Sequence, residues 1–143
     1  MIRLHAVLTG LVLLIGTSLA AYGVGDLSLR PAKLPDLVLG VDETGFAVSQ
    51  KEYGVETGKA YQLKIVSTGK HEYALVAPEL FDNIWLRKVE AGGVEIKANR
   101  IFELEFERPG EAEIFFVPIR PGSYRMQGKG MESKGLVITF NVK

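Results

Sequence analysis

Few side chains in this sequence can bind a soft metal or move a proton. The chain has no cysteine, two histidines and three methionines among its 143 residues. Met1 is the initiator, so the sulfur left for chemistry is that of Met126 and Met131, both in one glycine-rich stretch, 121–136. Thioether sulfur is a soft donor that suits Cu(I). It also fills irregular gaps in cores, and both uses stay open for these two residues. Without a thiol, and with His71 the one histidine beyond the first few residues, nucleophile–base pairs are scarce. Neither a phosphate-binding loop nor a dinucleotide fingerprint occurs. This inventory points to binding, and the chain is expected not to be an enzyme.

The N-terminus reads as an export signal. Arg3 gives a short positive region, residues 6–15 are apolar apart from Thr9 and Gly10, and Ser18-Leu19-Ala20 has the small-x-small form of a cleavage site. The apolar run is shorter than the roughly 20 residues of a membrane-spanning helix, although retention as an anchor stays open. Residues 1–20 are therefore expected to send the protein to a periplasm or out of the cell. His5 would be lost on cleavage, leaving His71 as the mature histidine. Lys and Arg number 17 and Asp and Glu 17, so the formal charge is zero. That balance lacks the basic footprint of a nucleic-acid binder.

The elements that must position these residues read as short strands. Residues 21–36 carry glycine, two prolines and mixed charge, and are expected to form an irregular arm. The domain is expected over 37–143. Residues 37–41 suit a strand, 42–45 a turn and 46–50 an alternating strand. Tyr61, Leu63 and Ile65 share one face of the next strand. After a polar connection, 67–70, a further strand opens at His71. Residues 77–93 break the pattern: Leu80, Ile84 and the Arg87-Lys88 pair suggest a helical turn or two, with Trp85 packed over the body and the two cations solvated. Alternation resumes at 94–97, 101–106, 112–117 and 137–142, with turns at Arg108-Pro109-Gly110 and Arg120-Pro121-Gly122. Many short strands separated by turn signals predict an all-β antiparallel sandwich with a short helical excursion.

Two of these segments carry a resemblance. Gly69-Lys70-His71-Glu72-Tyr73 places a histidine at the start of a strand after a polar loop. Pro121-Gly122-Ser123-Tyr124-Arg125-Met126-Gln127-Gly128, then Met131 and Leu136, follows the upstream Phe116-Val117-Pro118. Together they resemble the cupredoxins, Greek-key sandwiches that hold copper, over roughly 46–142. The segment 81–88 is similar to an excursion found in some periplasmic members. The resemblance implies that His71 stands at the family's first copper ligand and Met131 at its second histidine. Gly128 then stands at the cysteine and Leu136 at the axial methionine. It also implies that His71 and Met131 share one end of the sandwich. Tyr124, Met126 and Gly128 lie on one strand face, so Met126 is either a third ligand or a core residue.

The residues and the resemblance together predict an exported protein holding Cu(I) through His71, Met131 and possible third ligand Met126, in a non-blue site. Its expected role is copper carriage, buffering or delivery to a periplasmic or membrane copper protein. A metal-free interaction domain and an accessory of ferrous-iron uptake are the alternatives. Glu72 and Glu132 each follow a candidate ligand and are expected to be solvated charges.

Overall fold

A computed structural model describes residues 30–143. The export signal expected over 1–20, and most of the arm expected over 21–36, lie outside them. The described chain forms two facing sheets. The first has the order β1-β4-β9-β6-β7, with β2 also pairing β4. Its strands are β1 (Ala32–Lys33), β2 (Leu37–Leu39), β4 (Tyr61–Ser67), β6 (Ile84–Ala91), β7 (Val94–Ile96) and β9 (Gly110–Pro118). The second has the order β3-β11-β10-β5-β8. It is built from β3 (Glu52–Val55), β5 (Tyr73–Val76), β8 (Leu104–Phe106), β10 (Gly122–Gly128) and β11 (Val137–Val142).

Alternation explains the sandwich. Tyr61, Leu63 and Ile65 of β4, Ile114 and Phe116 of β9, and Leu86 and Val89 of β6 are buried in the core. So are Tyr73, Leu75, Met126, Ile138 and Phe140 of the second sheet. Burying side chains of this size stabilises by about 1.5–3 kcal/mol each. Tyr124 closes the β9–β10 corner, its hydroxyl donating to the Arg120 and Pro121 carbonyls at 3.1 and 3.2 Å. The central pairings are antiparallel, as expected, but β1 and β2 run parallel to β4, and β3 runs parallel to β11. These parallel pairs sit at sheet edges, and β1 brings the sheet's start forward to Ala32.

One local expectation is corrected and another is borne out in shorter form. Residues 46–50 form no strand; they belong to a loop touching the sheet through one isolated bridge, Leu39↔Val48. The Ala47 carbonyl accepts from the Gly40 and Val41 N–H groups and the Ser49 N–H donates to the Val38 carbonyl, while the Ala47 N–H is taken by the Asp42 side chain. The helical excursion is one five-residue helix, α1 (Pro78–Asp82), opened by its proline. The chain from Ile84 onward is strand. A bulge between Leu86 and Lys88 makes the inward residues 84, 86 and 89. Of the residues that suggested helix, Leu80 lies in α1, whereas Ile84 and the Arg87-Lys88 pair lie on β6, where the bulge breaks strict alternation.

Candidate metal centre

His71 lies in the connection between β4 and β5, two residues before the strand the sequence was expected to open at it. Facing it is the loop 40–49, which one carboxylate organises. Asp42 Oδ1 accepts the Ala47 N–H at 2.9 Å, and Oδ2 accepts the Thr44 hydroxyl. The Asp42 carbonyl accepts the Gly45 N–H at 3.2 Å and the Lys70 ammonium. The Thr44 hydroxyl, then the Ala47 amide, hold the Asp42 carboxyl down at about 2.

That turn aims the Thr44 carbonyl at His71, whose Nε2 lies 2.8 Å away. A carbonyl can only accept, so Nε2 carries the proton, and in the neutral ring the lone pair sits on Nδ1. Phe46 lies nearly flat on the imidazole, with centroids 4.5 Å apart and planes at 16°. Gly45, at φ +78°, must be glycine here: a Cβ would come within 2.7 Å of His71 Cδ2 and 2.8 Å of Nε2. The buried Tyr73 hydroxyl donates to the Gly45 carbonyl at 2.7 Å and ties the loop to the core.

The methionines come from β10, the middle strand of the second sheet, and from the loop after it. In β10, Gly128 pairs with Leu75 of β5, and the Lys129 N–H then donates to the Ala74 carbonyl at 2.8 Å. The loop after β10 therefore leaves the sheet beside the start of β5, at the His71 end. Met131 caps the 3₁₀ turn Glu132–Lys134, with its N–H on the Gly128 carbonyl at 2.8 Å. It is half-buried and packs against the core. From the same turn, Lys134 Nζ stands 4.2 Å from the Phe46 ring centroid. Phe46 is thus in contact with both His71 and the methionine loop. Met126 is 1% exposed, opposite Ile138 inside the core. Gly128 leaves less room than its missing side chain suggests, since a Cβ there would lie 2.9 Å from Leu136 Cδ2 and 3.3 Å from Met131 Cβ.

Asp42, Thr44 and Phe46 are the residues sequence reasoning missed. The signal was present: an aspartate two residues before a threonine, then a glycine, is a side-chain-capped turn. Lys88 is not solvated as expected. It lies 4.5 Å from the Phe115 ring centroid and bonds Glu90 and, at 2.9 Å, Glu95. The bulge turns it onto the outer face of the sheet, where Phe115 needs cover. Glu132 accepts from Gln127 Nε2 at 2.9 Å, and Glu72 is exposed. Among the described residues, no three His, Asp or Glu side chains gather into a group able to hold a metal ion.

No protein-family model matches the sequence, and no curated protein matches it. Solved structures do. A multicopper oxidase from Campylobacter jejuni, described as a metallo-oxidase, is similar over 82% of this chain at 14% identity, with a TM-score of 0.54. A second multicopper oxidase is similar over 78% at 8% identity and a TM-score of 0.58. The copper nitrite reductase from Nitrosomonas europaea is similar over 66% at 13% identity and a TM-score of 0.51. The chain spans less than half the length of each of these structures, with 31%, 44% and 33% covered. At these identities the likeness is one of fold: the protein is a cupredoxin-like β-sandwich.

Proposed function

We propose that this domain is an exported, non-catalytic copper-binding protein that holds Cu(I) through His71 and Met131, for carriage, buffering or delivery in a periplasm. The observation that carries the reading is the 2.8 Å hydrogen bond between His71 Nε2 and the Thr44 carbonyl, from which the tautomer follows. The Thr44 carbonyl takes the Nε2 proton, and Nδ1 keeps its lone pair at the end where Met131 leaves the sheet. Metal-binding histidines are held in this way, with the second nitrogen donating to a fixed acceptor. One imidazole and one thioether without a thiolate or carboxylate group make a soft donor set, which fits Cu(I) better than a harder ion such as Fe(II). Copper would contribute its own soft acidity; the chain supplies orientation and a partly shielded seat. Met126 is buried, so its sulfur serves packing first.

The test is competition for Cu(I) against a chromophoric chelator. Met131→Leu preserves apolar volume, so folding should change by less than about 1.5 kcal/mol, while Cu(I) retention should collapse, as it should with His71→Ala. Met126→Leu should leave binding close to that of the parent. If both His71→Ala and Met131→Leu compete as well as the parent, copper is not held there. A metal-free interaction domain then becomes the better reading. The stack of Phe46 on His71, with Lys134 beyond it, is the observation in that reading's favour.

A further inference from the structure

The end of the sandwich opposite His71 has its own surface chemistry. On the outer face of the first sheet, Phe115 and Val117 are buried, and the stripe continues into Ile119, which is 59% exposed. Trp85 pairs with Val117 across the ladder, sits on the same outward face as Ile119, and is 41% exposed. Neighbouring connections carry cations. Lys59 stands between Gly58, whose N–H donates to the Pro118 carbonyl at 2.9 Å, and Ala60, whose carbonyl accepts from Ala32 at 2.9 Å. Arg120 follows Ile119 directly, and Arg30 lies two residues before β1. Arg30 and Arg120 make no ion pair among the described residues, whereas Lys59 reaches Glu56 at 3.7 Å. The acidic Asp82 of this end is taken up by Arg100 at 3.0 Å.

The described chain begins at this same end. β1 runs parallel to β4 with Ala32 opposite Tyr61, so Arg30 lies at the start of β4, beside Pro118 and Ile119 and away from His71. The apolar run at 6–15 is separated from Arg30 by residues 16–29. Even fully extended, that interval spans no more than about 50 Å.

We infer that the Trp85–Ile119 end docks on the surface of an anionic lipid bilayer, with Trp85 and Ile119 at headgroup depth and Arg30, Lys59 and Arg120 on the phosphates. Tryptophan favours that depth because its ring is apolar and its N–H polar. Lysine and arginine beside it are attracted by the negative surface potential. The orientation turns His71 and Met131 away from the bilayer. This inference is independent of copper.

Trp85 is the sole tryptophan of the chain, so its fluorescence reports this face whatever the upstream residues do. The full-length protein is mixed with phosphatidylcholine–phosphatidylglycerol vesicles, and separately with phosphatidylcholine alone. The expected result is a blue shift of Trp85 emission on the anionic vesicles, with quenching by bromine-labelled lipid and protection from aqueous iodide. Arg120→Gln and Arg30→Gln should each weaken the anionic-lipid response by about fivefold, without altering Cu(I) competition. The inference is overturned if Trp85 stays as open to iodide on anionic vesicles as in buffer, even where the protein itself is vesicle-bound. An equal response to both vesicle types would equally remove the cationic part of the surface.

Discussion

The two ends of the sandwich are closed by different means. At the His71 end, side chains do the bracing: Asp42, Thr44, Tyr73 and Lys70 all bond to the backbone or side chains of one loop. At the Trp85 end, backbone groups bond one another: Thr57 to Lys143 at 2.9 Å, Gly58 to Pro118 at 2.9 Å, and Ile119 to Asn83 at 3.0 Å. The tyrosine hydroxyls of Tyr61 and Tyr124 brace that end from within, and Trp85 and Ile119 are left facing outward. The contrast teaches where precision is invested. The ligand role proposed for His71 would need its ring nitrogen held to within a fraction of an ångström, and side-chain braces suit that need. A surface that meets a soft, fluid partner needs only exposed area and charge.

The contrast breaks most sharply at Gly45. In Gly45→Ala, the left-handed backbone alone costs about 1–2 kcal/mol, and the new Cβ meets the imidazole at 2.7 Å. Gly92→Ala is the matched control: φ is +58° and nothing lies within 4 Å of its Cβ position. Both variants should lose stability in denaturant titrations, but only Gly45→Ala should lose Cu(I) affinity and shift the His71 ring resonances.

Acid gives a second, intermediate test. The Asp42 carboxyl is depressed from 3.8 to about 2 in the folded protein. Its ionised form therefore stabilises the loop fully above about pH 4 and loses that contribution as pH falls through about 2. The ring-current shift that Phe46 imposes on His71 should fade across that window, and Asp42→Asn should lack the transition. Trp85 emission should be flat over the same range, because no brace of that kind supports it; parallel changes at both ends would mean global unfolding instead. The smallest effect belongs to the open end. Ile119→Ser should alter stability by no more than about 0.5 kcal/mol, measured by thermal melting, since Ile119 is already 59% exposed.

Much of the frame was readable in the residues. β4, β10 and β11 alternate without interruption, and the Pro121-Gly122-Ser123-Tyr124 corner closes through the tyrosine hydroxyl. Three features were not readable, each for a physical reason. The parallel edge pairings leave no mark in alternation, which records a strand's faces and not its partner's direction. The bulge at Arg87 breaks the strict alternation of β6. Phe46 alternates like a strand residue, but Asp42 captures the Ala47 N–H that a strand would have used. As for the candidate site, His71 and Met131 stood out by being scarce. What surrounds them did not, because Thr44 acts through its carbonyl, and every residue type has one.

Gly128 stands where the cupredoxin resemblance puts a thiolate, and the room beside it belongs to Leu136, which is fully buried. A cysteine introduced there alone would have to push the Leu136 methyl groups aside within a fully packed core. The single variant Gly128→Cys should therefore melt below both the parent and the pair Gly128→Cys with Leu136→Ala. If the single change melts as high as the parent, Leu136 yields more easily than its burial implies. Under the expected outcome, a sulfur at position 128 is compatible with this core only once Leu136 gives up its place. The ligand set that the resemblance names would further need a histidine at Met131 and a methionine at Leu136, so Gly128→Cys alone does not build that site.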